Sequence, residues 1–276
     1  MNIVIVGLGI IGGSIAKALK KNTEHYIIGI DKNHEVEKKA LSDGAIDEIG
    51  DIDSLGIADV IYLAVYPGAA VQYVEENGKY IKQGAIVTDT AGIKYEICPA
   101  LVELSVEYSF DFVGSHPMAG KEKNGYEASD PEIFKGASYI VIPCDADDNS
   151  VIVISGLARA MGFGGVMITS PAEHDRMIAF TSQLPHVLAC AYVMSPCCKN
   201  HVGYSAGSYN DVSRVANINA ELWSELFLEN KDNLVKELDL LIDNIGKIKK
   251  EIENEDKQKL TELLAEGRKI KEELGE

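Results

Sequence analysis

The sequence predicts an α/β protein in which a mostly parallel sheet is followed by a separate all-helical domain. As far as residue 168, short β-branched apolar runs alternate with helical stretches, and a glycine-rich loop directly follows the first run. Beyond that point apolar residues recur at three- and four-residue steps, as in a helix. Alternating strands and helices build parallel sheets that are covered by helices on both faces.

Six apolar runs suit the strands of a buried sheet, because buried parallel strands are rich in Val and Ile. The predicted strands are residues 2–6, 26–30, 60–65, 85–88, 112–115 and 138–142, and the predicted helices between the first of them are residues 14–20, 35–43 and 70–79. Asn33 is expected to cap the second helix, and Gly44 is expected to end it.

The helical part predicts a second domain, with the division at residues 1–171 and 172–276. From about residue 230 onward, Leu and Ile recur at helical spacing among Lys and Glu. This pattern is typical of long amphipathic helices with solvated charged faces. Apolar faces on such long helices favour a homodimer.

Composition restricts the classes of partner. Lys and Arg total 26 against 43 Asp and Glu, which gives a net charge of −17 and disfavours nucleic acid or anionic membrane. No apolar stretch reaches the ~18 residues of a membrane span. The five cysteines form no C-x-x-C pair and the N-terminus has no basic leader region. We therefore expect a cytoplasmic protein without a disulfide framework.

The glycine loop matches the G-x-G-x-x-G pattern of dinucleotide-binding, Rossmann-type domains. Gly7 permits the tight turn, Gly9 lets the backbone approach a pyrophosphate, and Gly12 lets the helix pack against the strand. The free N–H groups at the start of the helix then face the anion. Because the loop lies between a predicted strand and a predicted helix, the match is far more specific than the pattern alone.

Asp31 ends the second strand, where a ribose-binding carboxylate is expected. A carboxylate accepts a hydrogen bond from a 2′-hydroxyl and repels a 2′-phosphate, so NAD is predicted rather than NADP, although Lys32 could soften the preference. The predicted cofactor-binding residues are Gly7, Gly9, Ile10, Ile11, Gly12, Asp31 and Val65.

His116 is the leading candidate for the chemistry. It follows a predicted strand, at the edge of the sheet where α/β proteins bind ligands. A neutral imidazole there could accept a proton from a substrate hydroxyl as hydride leaves, and the alternative is a loop histidine satisfied by the backbone. Ser182 and His186 form a second candidate pair, and Arg214 offers the planar fork that suits carboxylates.

A metal site built from His116, His174, Asp175 and His186 is a weaker alternative. No local spacing of the H-x-x-x-H kind supports it, so no metal is predicted.

Taken together, these residues resemble the prephenate dehydrogenase family, including its arogenate-using relatives. The segments that carry the resemblance are the glycine loop at 7–12, DTAGIK at 89–94, SHPMAGKE at 115–122, HD at 174–175, SQLPH at 182–186, SRVA at 213–216, LW at 222–223 and FLEN at 227–230. The ordered set spans nearly the whole chain and is more specific than any one of its members.

The resemblance implies a nucleotide domain and a helical dimerisation domain with the active site in the cleft between them. It implies oxidative decarboxylation of prephenate to 4-hydroxyphenylpyruvate, with hydride transfer to NAD+, in tyrosine biosynthesis. His116 would deprotonate the ring hydroxyl, and Arg214 would bind a substrate carboxylate. Ser182 and His186 would position the substrate or the nicotinamide.

Three further residues enter as substrate-binding candidates. In the family pattern Glu122 matches a gating acidic residue, and Trp223 is expected to reach toward the partner subunit's site. A chain of charge −17 also needs local cations to hold a dianion. Besides Arg214, the available cations are Lys94, Lys121 and Lys123, of which Lys94 is the predicted substrate contact.

Departures from the family pattern leave the choice between prephenate and arogenate open. The family often has Ser where Gly92 stands, Gln183 replaces a commoner His, and Asn210 and residues 217–219 also differ. Another two-domain hydroxyacid dehydrogenase, which would use a catalytic lysine, is one alternative. A non-enzymatic NAD-sensing regulator is the other, and it would bind NAD without turning over a cyclohexadienyl substrate.

Overall fold

The computed structural model describes residues 1–121 and 123–275. The strands are β1 (Asn2–Val6), β2 (Tyr26–Ile30), β3 (Glu48–Ile49), β4 (Val60–Leu63), β5 (Ile86–Asp89), β6 (Asp111–Pro117), β7 (Ser138–Ile142) and β8 (Gly165–Ile168). The helices are α1 (Ile10–Asn22), α2 (His34–Ser42), α3 (Pro67–Asn77), α4 (Ile97–Tyr108), α5 (Asp148–Ala160), α6 (Pro171–Ile178), α7 (Leu184–Val193), α8 (Gly207–Ser213), α9 (Ala220–Glu229), α10 (Lys231–Glu253) and α11 (Lys257–Glu273).

The eight strands form one sheet in the order β3-β2-β1-β4-β5-β6-β7-β8. All neighbours run parallel except β6 and β7, which pair antiparallel. The chain leaves β1 toward β2 on one side and returns to β4 on the other, so the order reverses at β1. Ligands of open α/β sheets bind at such a reversal, beyond the carboxyl ends of the strands.

Alternation along the strands builds a core on each face of the sheet. In β1, Ile3 and Ile5 belong to one buried cluster, while Val4 and Val6 belong to the other. All four side chains are essentially inaccessible to water. Helices cover both clusters, which explains why the strands read as continuous apolar runs.

The helical half begins at α6, where the Ser170 side chain accepts a hydrogen bond from the backbone N–H of Glu173. Between α6 and α7 the helix widens into a π-helical turn, Ala179–Gln183. Pro185, in the first turn of α7, has no N–H to give the preceding turn, which favours the wider winding. Among the described residues no helix is long and apolar enough to cross a membrane.

The predicted α/β class is confirmed, and the six predicted strands all occur within a few residues of their expected bounds. Four elements of the sheet half were not predicted from the sequence: β3, β8, α4 and α5. β3 has only two residues, and α4 is apolar on most sides, so neither shows a clear period.

Candidate active site

The glycine loop forms an open backbone surface at the carboxyl end of β1. A Cβ at Gly12 would lie 1.8 Å from the carbonyl oxygen of Gly7, and Gly7 itself has a φ of +90°. A Cβ at Gly9, by contrast, would meet nothing within 4 Å. Gly9 precedes α1, which no side chain caps. The loop therefore fits a pyrophosphate that approaches the backbone at Gly9 and meets the free N–H groups of the helix.

Asp31 is held firmly beside this loop. Its Oδ2 accepts a hydrogen bond from the N–H of Leu8 at 2.7 Å, and its Oδ1 accepts one from the N–H of Asn33 at 2.9 Å. Behind it, Oε1 of the buried Glu37 accepts the N–H of Asp31 at 2.9 Å. Two carboxylates therefore lie close together at the end of β2 beside the glycine loop, and their negative charge disfavours a phosphate there.

The remaining predicted cofactor residues lie near the same loop. Ile10 and Ile11 occupy the first turn of α1 and are half-buried. Val65 follows β4, and its Cγ1 would lie 2.7 Å from a Cβ placed at Gly7. The structure thus brings the predicted residues together around the ends of β1, β2 and β4.

His116 lies near the carboxyl end of β6, at the same edge of the sheet. Its Nδ1 is 2.9 Å from Nε2 of His174, and Nδ1 of His174 is 2.6 Å from Oδ1 of Asp175. His174 and Asp175 are both buried in α6. Removal from water lowers the pKa of His116 well below its ordinary value, and His174 and Lys94 lower it further. His116 is therefore a neutral base near pH 7.

Asp175 joins the helical half to the sheet half. Its carboxylate accepts hydrogen bonds from the backbone N–H of Lys94, at 2.9 and 3.1 Å, and of Tyr95, at 2.7 Å. Lys94 and Tyr95 lie in the loop between β5 and α4. The first helix of the second half is therefore attached directly to the loop beside the site.

The Lys94 side chain departs from the expectation that it meets a substrate carboxylate. Its ammonium pairs with Asp89, and both side chains are 0% exposed. Asp89 also accepts hydrogen bonds from the N–H groups of Ala91 and Ser115, at 2.8 and 3.1 Å. A desolvated cation needs such a partner, which is why Lys94 turns inward.

Ser182 and His186 lie where the π-helical turn joins α7. Nδ1 of His186 donates a hydrogen bond to the carbonyl oxygen of Ser182 at 2.7 Å. The His186 ring stacks on Trp223 with 3.7 Å between the ring centroids. Trp223 thus packs on a histidine of its own chain, and its reach toward a partner subunit stays a prediction.

Helix α9 carries Trp223, which stacks on His186, and Leu226, which lies on the side of His116. Leu226, one turn after Trp223, lies opposite Gly92: a Cβ at Gly92 would be 3.5 Å from Leu226 and 3.9 Å from Nε2 of His116. Gly92 therefore presents only backbone beside the basic nitrogen, with Leu226 opposite.

Three further residues are candidate substrate contacts from the sequence: Arg214, Lys121 and Glu122. Arg214 is exposed and opens a 3₁₀ turn, Arg214–Ala216, that packs beside α7. Lys121 pairs with Asp130 at 2.8 Å. Glu122 lies outside the described residues.

An amide network that the sequence reading did not identify supports the site. Nε2 of Gln183 donates to the carbonyl of Leu226 at 2.8 Å. Nδ2 of Asn230 lies 2.8 Å from both Oε1 of Gln183 and the carbonyl of Asp175. Gln183 is buried, and through Asn230 and Leu226 it ties α6 to α9. Gln183 lies in the SQLPH segment and Asn230 in the FLEN segment, so the resemblance to the family was the only feature of the sequence that pointed to these two residues.

A buried acidic oxygen lies next to this network. Oε2 of Glu229 has no hydrogen-bond partner within the described part of the chain. Burial raises the pKa of Glu229 to about 7, with further contributions from Glu225, Glu96 and Asp175. As for the metal alternative, no group of three or more His, Cys, Asp or Glu side chains in residues 1–121 and 123–275 could hold a metal ion.

A dinucleotide loop and a neutral imidazole at one edge of a parallel sheet, closed by a helical domain, define a dinucleotide-dependent dehydrogenase. Comparison with known proteins refines this class. Residues 15–161 match the prephenate dehydrogenase nucleotide-binding domain, and residues 170–266 match the prephenate dehydrogenase dimerization domain. The chain belongs to the prephenate dehydrogenase family.

Individual relatives agree over most of the chain. Prephenate dehydrogenase of Bacillus subtilis (strain 168) is 32% identical over 94% of this chain and 72% of its own length. The crystal structure of prephenate dehydrogenase from A. aeolicus, in complex with hydroxyphenyl propionate and NAD+, has a TM-score of 0.87 at 29% identity, covering 99% of this chain and 98% of that one. The crystal structure of Synechocystis arogenate dehydrogenase has a TM-score of 0.83 at 26% identity, covering 99% and 100%.

Proposed function

We propose that this protein converts prephenate to 4-hydroxyphenylpyruvate by oxidative decarboxylation with NAD+, a step of tyrosine biosynthesis. One observation carries the proposal: Nε2 of His116, on an imidazole of lowered pKa, lies beside the side-chain-free position Gly92, on the edge of the sheet that holds the glycine loop. Family membership supports the choice of substrate.

The residues present fit NAD. Gly9 and the start of α1 would receive the pyrophosphate, and Asp31 would accept a hydrogen bond from the ribose. The bound cofactor supplies the acceptor for the hydride that leaves the hydroxyl-bearing ring carbon.

His116 handles the proton of this reaction. Its Nε2 accepts the hydroxyl proton as the C–H electron pair leaves, and the ring oxygen becomes a carbonyl. The ring carboxylate then departs as carbon dioxide, and the electron pair of the broken C–C bond completes the aromatic ring. His116 returns its proton to the ring oxygen, which gives the phenol.

The helical half holds the substrate. Arg214 binds a substrate carboxylate through its planar fork. His186, oriented by the Ser182 carbonyl and by the Trp223 ring, positions the substrate or the nicotinamide. Glu122 acts as the acidic residue that controls access to the substrate cleft, as in the family pattern.

Arogenate is the second candidate substrate. The likeness to Synechocystis arogenate dehydrogenase supports keeping it. Arogenate carries an amino group where prephenate has the keto group of its side chain, so the two substrates differ at a distance from the reacting carbon.

We also propose a homodimer in the cytoplasm, divided into domains at residues 1–171 and 172–276. The match to a dimerization domain supports the dimer. Apolar side chains that one chain leaves in water support it as well: Leu240, Ile242, Ile245, Ile252, Leu264 and Ile270 are all about half exposed or more.

The test is a spectrophotometric assay of NADH formation with prephenate and arogenate in parallel. The control is His116→Asn, which we expect to fold, to bind NAD with unchanged affinity and to lower kcat ~100-fold or more. Turnover of neither substrate by the wild type, or near-normal turnover by the variant, would overturn the proposal. Turnover of arogenate alone would select the second candidate.

A further inference from the structure

We propose that His174 and Asp175 are positioning residues that fix which nitrogen of His116 carries the proton. The inference rests on the proposed function, because it explains why the nitrogen that faces substrate is free to act as a base. It adds a requirement that neither the fold nor the glycine loop imposes: a correct tautomer at two histidines in series.

The chain of protons starts at Asp175. Its carboxylate already accepts hydrogen bonds from the N–H groups of Lys94 and Tyr95, which stabilise the ionised form. An ionised carboxylate has no proton to donate, so the 2.6 Å contact with Nδ1 of His174 requires the proton to lie on that nitrogen. Burial, together with the charge of Lys94, lowers the pKa of His174 although Asp175 acts in the opposite direction, so its ring is neutral and Nε2 is bare.

The second link follows from the first. Because Nε2 of His174 is an acceptor, Nδ1 of His116, 2.9 Å away, must be the donor. A neutral imidazole carries one N–H, so Nε2 of His116 is left with its lone pair. That is the nitrogen that faces Gly92.

Gly92 makes this support more important in the present chain. A residue with a hydroxyl at position 92 could contact Nε2 of His116 and help to orient the ring, because a Cβ there would be 3.9 Å away. Gly92 has no side chain for this purpose. Among the described residues, the hydrogen bond that orients the His116 ring is the one to His174.

The same arrangement lowers the cost of proton transfer. When Nε2 of His116 takes the substrate proton, the ring becomes a cation, and the negative charge of Asp175 acts on it through His174. Catalytic triads use one histidine in the same way, and replacing the aspartate there by asparagine reverses the tautomer. Here the effect would pass through two rings.

The decisive variant is Asp175→Asn, which keeps the shape of the side chain. The asparagine oxygen, placed where Oδ2 now lies, can still accept the N–H groups of Tyr95 and Lys94, which are 2.7 and 3.1 Å from that atom, and this turns its NH₂ toward His174. His174 would then carry its proton on Nε2, donate to His116, and leave His116 protonated at the nitrogen that should be bare. We expect kcat with prephenate to fall ~100-fold or more, with NAD affinity unchanged.

The readout that separates positioning from mere stability is ¹⁵N NMR of labelled histidine side chains, without substrate. The chain has six histidines, and His116→Asn assigns one of them. In the wild type we expect His116 to show N–H at Nδ1, and in Asp175→Asn at Nε2. A folded Asp175→Asn protein that keeps the wild-type tautomer, or its kcat, would overturn the inference.

A second pair of variants keeps the test decisive if Asp175→Asn does not fold. In His174→Gln the amide oxygen can accept from Nδ1 of His116, whereas His174→Leu offers no acceptor. We expect kcat of the Gln variant to lie within ~10-fold of wild type and that of the Leu variant to be at least ~100-fold lower. Equal kcat values would contradict the inference. Failure of the wild type to use prephenate would instead count against the proposed function, while the NMR result would still stand.

Discussion

Replacing Lys94 by Met separates a structural role for this lysine from a role in substrate binding. The side chain is unbranched and of similar length, so the main change is the loss of the ammonium. In the structure that ammonium is fully buried against Asp89. The variant therefore leaves a buried carboxylate with hydrogen bonds from the N–H groups of Ala91 and Ser115 but without its cation.

Removing one partner of a buried ion pair costs about 3–5 kcal/mol of unfolding free energy, because the remaining charge stays desolvated. Making the second change as well, Asp89→Asn with Lys94→Met, removes that charge. Part of the lost stability should then return, because the buried charge is gone, although the asparagine keeps an acceptor for only one of the N–H groups of Ala91 and Ser115. The coupling between the two positions is the quantity that a double-mutant cycle measures.

The variant should also change the pH dependence of activity. The charge of Lys94 contributes to the lowered pKa of His116, so its loss raises that pKa. Since the base works only when neutral, kcat/KM falls as pH drops through this pKa, and the acidic limb should move to higher pH.

The assays are urea denaturation of the two single variants and the double variant, and kcat/KM against pH. The reasoning is refuted if Lys94→Met unfolds like the wild type while its KM for prephenate rises strongly. That result would mean that the ammonium serves the substrate, as the sequence first suggested.

Three further outcomes follow from the structure. Asp31→Ser should bring kcat/KM for NADP closer to that for NAD, but Glu37 should keep NAD preferred; a full reversal would show that Glu37 exerts no repulsion. Arg214→Ala should raise the KM for prephenate. The lost binding free energy is ~2–5 kcal/mol if the pair of Arg214 and the substrate carboxylate is desolvated, and an unchanged KM would exclude this contact. Glu229→Gln should be more stable than the wild type at pH 8 but not at pH 5. The pKa of Glu229 in the folded protein is raised to about 7, so the wild type loses stability as pH rises toward that value and the buried carboxyl becomes charged. Thermal unfolding at the two pH values measures the difference.

Much of the sheet half could be read from local patterns. The strand ends at Val6 and Ile30, the cap at Asn33 and the glycine loop each follow from residues adjacent in sequence. The antiparallel pairing of β6 with β7 could not be read in this way, because the intervening segment has no signal that fixes direction.

The site was predictable in its members and less so in their arrangement. Position in the chain indicated His116 and His174 separately, yet not that their rings would meet, since the two histidines are 58 positions apart. The inward turn of Lys94 depends on Asp89 being buried, which is a property of the folded sheet. Likewise Gln183 reads as a polar residue beside the site, and only the folded helices supply its partners, Leu226 and Asn230.

The attachment of Asp175 to the backbone of Lys94 and Tyr95 has a consequence for how the enzyme moves. If α6 swung away from that loop, His116 would lose the ring behind it and its orientation together. The hydrogen bonds between Asp175 and the backbone of Lys94 and Tyr95 must then persist throughout turnover. Substrate entry and product exit must then leave the contact between α6 and the loop after β5 in place, so hydrogen exchange at the N–H groups of Lys94 and Tyr95 should stay slow during turnover.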